Sequence, residues 1–331
     1  MAQEKRKRRK KRTKKRSAIS KVGLFFLILL LVLLVLGITV SAGWLWMNHS
    51  GQSRLSQKQE AVPELMQQAE SEAESEMILE AGSIRYHGKV YTYKKDILTF
   101  LFLGIDKEGE VKASSNLGQA DALFLAVLDP GEKKISVIGI NRDTMASMNV
   151  YDKNGRYSGR QTAQIALSHA YGDGLEESCE NSLDAVSNLF YGLPIHGYCA
   201  LNMPVVSKLN DAVGGVDVVI PESANGLEKG WTTGAEVHLK GDAAYRFIRY
   251  RDTAQEQSAE ARLERQKQYL KKFILQAKEA MKQDMTLPLQ LYTQITPYMV
   301  TDVTADEAVY LAGQALSYSF GDDDFYSMTG T

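Results

Sequence analysis

Four arginines, Arg249, Arg251, Arg262 and Arg265, fall within the twenty residues FIRYRDTAQEQSAEARLERQ, 247–266. A guanidinium is a planar fork of donors that keeps its charge, so two or three converging at the start of a helix make a receptor for phosphate or pyrophosphate. If a helix ends near Ile248, Arg249 and Arg251 are extended, and alternation sends both to one side and Tyr250 to the other. Arg262 and Gln266 stand four apart and share a helix face. Arg265 lies about 60° from them at 3.6 residues per turn and points to solvent in this reading. The competing reading is local ion pairing with Asp252, Glu256, Glu260 and Glu264, and charge pattern alone leaves the two level.

Carboxylates supply the other half of a possible site. Asp106 closes the apolar run ILTFLFLGID, and Asp121 opens the next, DALFLAVLD. On neighbouring strands these ends bring the two carboxylates together, and a carboxylate pair with substrate phosphate oxygens is a usual seat for Mg²⁺. Arg142 and Asp143 follow a third run, KISVIGINRD. Each strand-end aspartate alone could equally cap a helix or turn a corner.

The elements that must hold these residues are legible as patterns. The three continuous apolar runs read as strands buried on both faces, separated at Asp129-Pro130-Gly131 by a turn. SIRYHGKVYTY alternates about His87-Gly88 as a hairpin. Helical periodicity marks ESCENSLDAVSNLF, MPVVSKLNDAVGG with Asn202 as its cap, LKGDAAYRFI, ARLERQKQYLKKFILQAKEAM and Thr304 to Ser317, with short strands HGYCALN and VDVVIP between them. Strands mix with helices without a fixed repeat, which predicts one α/β domain over 82–331.

The N-terminus decides where that domain lies. Residues 1–21 carry twelve Lys/Arg against Glu4, a tail of +11, which leaves -12 on the rest of a chain whose net charge is -1. Residues 22–47 then contain no charge. A span takes roughly 20 apolar residues, and a signal-peptide core only about 7 to 15, so an anchor is favoured over a cleaved leader or a buried helix. The cationic side stays in the cytoplasm, with Trp44 and Trp46 at the outer interface. The expectation is therefore a basic cytoplasmic tail (1–21), one transmembrane helix (22–47), a polar, partly helical stalk (48–81) and an extracytoplasmic domain, in single-pass type II orientation. Next to a span, the basic run sets topology and touches anionic lipid, which disfavours nucleic acid as a partner. Cys179 and Cys199 are the only cysteines. A disulfide is permitted outside the cytoplasm, but free buried thiols are the favoured reading.

TFLFLGID (99–106), QADALFLAVL (119–128), ISVIGINRDT (135–144), HAYG (169–172), KLNDAVGGVDVV (208–219), LKGDAAYRFIRYRD (239–252) and RLERQ (262–266) resemble, in order and spacing, the LytR-CpsA-Psr family. The resemblance covers about 100–275. It implies a central mixed sheet flanked by helices and a phosphotransferase that moves an anionic glycopolymer, such as teichoic acid or capsule, from a polyprenyl-pyrophosphate carrier onto peptidoglycan. It assigns Asp106 and Asp121 to Mg²⁺, Arg142, Arg249, Arg251 and Arg262 to the pyrophosphate, and Gln266 to the same site. Asp143 is a candidate base, with the orienting of Arg142 as its alternative role. Gln119 stands where the family commonly has arginine, Ala122 where it has threonine or serine, Gln164 and Ala166 where Lys-x-Asn is frequent, and Ala259 where an aspartate often precedes the last motif. Two further readings stay open: a non-catalytic membrane protein that binds polyprenyl phosphates or organises wall assembly, and a lipid-pyrophosphate hydrolase.

Overall fold

The computed structural model describes residues 21–60, 83–112, 117–152, 156–251 and 258–328, with the side chains of 21–38, 40, 60, 259 and 322 outside the description. Residues 1–20 of the basic tail, residues 61–81 of the stalk, and Asp252 and Glu256 therefore lie outside the described residues, as does the side chain of Ala259. Two compact units divide at Trp46 and Met47. The first contains most of the expected span. Helix α1 (Lys21–Glu60) runs through this stretch. Among the described residues no helix is long and apolar enough to cross a membrane, and most of the side chains on which the expected span rests are outside the description.

The second unit is built on a six-stranded mixed sheet in the order β11-β8-β3-β4-β5-β12. Its centre is β3 (Leu98–Ile105), β4 (Ala120–Asp129) and β5 (Lys134–Ile140), consecutive and antiparallel. These are the three apolar runs of the sequence. Outside them lie β8 (Gly197–Asn202), parallel to β3, and β11 (Met299–Thr301), antiparallel to β8. β12 (Phe325–Ser327) closes the other edge, parallel to β5. Leu101, Leu103 and Ile105 enter one core layer with Ala185 and Val186 of α2 (Glu176–Leu189). Leu98 and Phe100 alternate into the opposite layer with Val137 and Phe325. Burial of both faces explains why these strands read as continuous apolar runs.

Three small antiparallel pairs surround the sheet. β1 (Ser83–Tyr86) and β2 (Lys89–Thr92) form the predicted hairpin, whose turn takes positive φ at both His87 and Gly88. β6 (Met145–Tyr151) and β7 (Tyr157–Gln164) form another, and β9 (Val216–Val219) pairs with β10 (Glu236–Leu239). A separate core cluster joins β9 and β10 to α4 (Asp242–Arg249) and α5 (Ser258–Gln283) through Val216, Leu239, Phe247 and Tyr269. The remaining helices are α3 (Val205–Ala212), α6 (Leu287–Ile295) and α7 (Ala305–Ser317). Asn202 does not cap α3: the cap position is Pro204, and the Asn202 amide donates to the Gly109 carbonyl at 3.0 Å.

The described part of the stalk, 48–60, is helical and belongs to the core. Leu55 is buried among Leu98, Phe100 and Leu128. Arg54 pairs with Asp306 at 3.2 Å, and Lys58 pairs with both Asp302 and Glu307 at 3.4 Å. Its polar composition hid this docking because a single leucine and two ion-pairing positions, Arg54 and Lys58, carry much of it.

Candidate functional site

The site lies at the end of the sheet where β3 finishes and β4 begins. The Asp106 amide donates to the Gln119 carbonyl at 3.0 Å, which joins the two strand ends. Register slips here: Gly104 pairs with Ala122 but Ile105 with Ala120, leaving Asp121 as the extra residue of a β-bulge. A bulge re-aims the side chain it carries. Asp121 thereby receives two guanidinium groups, Arg142 on Oδ1 and Arg262 on Oδ2, the latter at 3.3 Å.

Arg142 emerges two residues beyond β5, and its second amino group donates to the Gln119 side-chain oxygen. Asp143 Oδ1 lies 3.6 Å from Arg142 Nε and accepts from the Gln164 amide at 3.0 Å. Arg249, the last residue of α4, reaches Asp106 at 3.3 Å, where both side chains are about half exposed. The helix runs one residue further than the sequence predicted, and extended backbone begins at Tyr250 (φ -53°, ψ 135°). Arg251 Nε donates to Ser258 Oγ at 3.0 Å. Among the described residues Arg249, Arg251 and Arg262 thus face strand-end aspartates and a serine rather than Glu260 or Glu264.

The Arg262 guanidinium is drawn below its usual range first by burial; Arg142 and Arg251 push the same way, with Asp121 opposing. The mutual influence of these cations records their convergence. Among the described residues, four arginines (142, 249, 251, 262) meet three carboxylates (106, 121, 143), one cation more than the carboxylates present.

Arg265 overturns the expectation that it faces solvent. It is 2% exposed, and it donates to the carbonyls of Phe247 (3.0 Å), Ser223 (3.2 Å) and Tyr250. It satisfies orphan carbonyls at the end of α4 and favours the negative end of that helix. Gln266, also buried, donates to the Ile248 carbonyl at 3.3 Å. Both side chains therefore hold the segment that presents Arg249 and Arg251. His169 of the HAYG motif is fully buried, and its Nδ1 lies 2.9 Å from the Gly118 carbonyl, securing the backbone just before Gln119. A carbonyl only accepts, so Nδ1 carries the proton. Cys179 and Cys199 are free thiols.

The fold and site define a mixed-sheet α/β domain with an arginine–aspartate cluster at one end of its sheet. The LytR-CpsA-Psr family profile matches residues 53–321, and the chain belongs to that family. A Bacillus anthracis protein named polyisoprenyl-teichoic acid–peptidoglycan teichoic acid transferase TagU is 30% identical over 162 residues, 48% of this chain and 46% of its own length. The match thus spans about half of that relative. A Streptococcus agalactiae structure shares the fold at TM-score 0.56 and 20% identity, over 71% of this chain and 78% of that one. Bacillus subtilis TagV does so at TM-score 0.53 and 22% identity, over 72% and 87%.

Proposed function

We propose that the chain is a membrane-anchored phosphotransferase that moves an anionic glycopolymer from a polyprenyl-pyrophosphate carrier onto peptidoglycan and releases polyprenyl phosphate. The observation that carries the reading is the gathering of Arg142, Arg249, Arg251 and Arg262 about Asp106, Asp121 and Asp143, with one more cation than carboxylate among the described residues. Family membership and the activity named for the Bacillus anthracis relative support it. Residues 22–47 would hold the domain on the outer side of the membrane, where peptidoglycan lies.

Asp106 and Asp121 are hard-oxygen donors on adjacent strand ends, and a carboxylate has about four lone-pair sites, so the donor set fits Mg²⁺ even beside the guanidinium groups. When bound, the ion would neutralise non-bridging phosphate oxygens. Arg249 and Arg251 are presented for the charge that grows on the departing polyprenyl phosphate, and Arg142 and Arg262 bind from the sheet side. Asp143 orients Arg142. The acceptor hydroxyl attacks the phosphorus that bears the glycan, the bond to the carrier phosphate breaks with its electron pair, and the hydroxyl proton passes through solvent to the departing phosphate.

A binding protein without turnover is the second reading, favoured by the neutral Gln119 and by the engagement of both Asp121 oxygens. The two separate in an assay of the full chain in detergent with a synthetic polyprenyl-pyrophosphate saccharide and peptidoglycan fragments. Coupled product is expected to require Mg²⁺ and to fall about 10²-fold or more in Arg249→Ala. Lipid binding without release, indifferent to Asp121→Ala, would establish the binding protein; release without coupled product would establish a hydrolase.

A further inference from the structure

A cleft of about 700 Å³ opens beside the arginine cluster, between the segment after β3 (Glu108), the start of α3 (Met203, Ser207) and α4 (Asp242, Tyr245, Arg246). It shares a wall with the site, because the Arg249 guanidinium lies over the Tyr245 ring, 5.4 Å from its centroid, while pairing with Asp106. Glu108 stands two residues beyond Asp106. A ligand here would lie next to the phosphorus that Arg249 and Asp106 are placed to hold.

We propose that this cleft binds the acceptor as an uncharged glycan, an inference that rests on the phosphotransfer reading for the word acceptor but not for the binding. One of its two cations is neutralised from outside the cleft, which leaves two carboxylates facing a single ammonium. Arg246 is paired with Glu228, and the Lys208 ammonium lies over the Tyr298 ring, 5.0 Å from its centroid. The carboxylates remain available: Glu108 is exposed with no ion pair among the described residues, and Asp242 accepts only a hydroxyl, Ser207 Oγ at 3.0 Å. Carboxylates facing a cleft accept sugar hydroxyls and repel a polyanion. Met203, Pro204 and the Tyr245 ring supply apolar surface for the C–H faces of a sugar. The Tyr245 hydroxyl is buried without a hydrogen-bond partner, a group that a small shift on binding would satisfy. The anionic donor chain is thereby steered away from the acceptor's place.

The test measures binding to the full chain in detergent, with N-acetylglucosamine tetrasaccharide as the neutral probe and a glycerol-phosphate oligomer as the anionic one. The neutral probe is expected to bind, and Ser207→Trp, which fills the cleft, to weaken it at least tenfold. Glu108→Lys, on an exposed position where folding is not at stake, is expected to weaken the neutral probe several-fold and to admit the anionic one. Neutral binding unchanged in both variants, no neutral binding at all, or preference of the wild type for the anionic oligomer overturns the proposal. Because the readout is binding, failure of the transfer assay leaves this result standing as a glycan site. Absence of glycan binding in the cleft likewise leaves the phosphotransfer reading standing, with the acceptor held elsewhere.

Discussion

Asp121 is the residue on which the site depends most, since among the described carboxylates it alone receives two guanidinium groups, and Arg262 beside it is only 7% exposed. Asp121→Asn removes the charge and turns an amide donor toward one arginine. Breaking a buried pair from one side leaves a charge uncompensated, so a loss of about 2–4 kcal/mol in denaturant unfolding is expected. A loss below about 0.5 kcal/mol would mean that solvent already screens the pairs. Gln119 makes sense in the same geometry, because its oxygen accepts from Arg142 and an arginine there would have nothing to offer. His196 gives the pH dependence. Its Nδ1 accepts the Thr99 amide at 3.1 Å, and burial, reinforced by Lys58, lowers its pKa to about 4. The unfolded chain therefore takes up the proton first, and stability present above pH about 6.5 is lost as pH falls toward about 4, by roughly 3 kcal/mol. His196→Asn, which keeps an acceptor, is expected to flatten that part of the stability–pH curve; an unchanged curve would assign it to other groups. The arginines and aspartates were legible from side-chain type and spacing. The bulge at Asp121 and the burial of Arg265 were not, because each is decided by a partner strand or helix distant in sequence.

Elements were legible where one physical cause dominated. The central strands announce themselves by burial on both faces, and α7 by its Thr304–Glu307 capping box. The β6–β7 hairpin escaped notice because YSGRQTAQ is largely exposed and offers no apolar alternation. Helix was expected in the stalk, but the docking of the end of α1 escaped, and Gly51 adds a reason: a Cβ there would lie 2.2 Å from the Asp306 carbonyl oxygen, so the contact is made by the absence of a side chain. Alanine normally stabilises a helix over glycine by about 1 kcal/mol. At this position the sign should reverse, with Gly51→Ala costing about 1–3 kcal/mol through overpacking. Thermal melting measures the cost, and hydrogen exchange should quicken in the first turn of α7. A stabilised variant would show that α1 does not dock there.

At the scale of the whole molecule, the pattern of elements predicted an α/β domain and the family resemblance a central mixed sheet, and the sheet agrees. What it did not disclose is where the sheet is completed. Phe325 of β12 packs into the layer that holds Leu98, Val137 and Leu55, and β12 pairs with β5 although some 180 residues separate them. Truncation after Gly321 is expected to remove about 3–5 kcal/mol with the buried Phe325, read as a lower midpoint of denaturation; an unchanged midpoint would make the strand an ornament. Its position also sets a schedule. During synthesis β5 emerges early and must wait, one edge bare, until the chain has been made as far as residue 327. Through that interval the exposed backbone can accept a strand from a neighbouring nascent chain. Timely delivery of the last residues is thus a condition of yield as well as of stability.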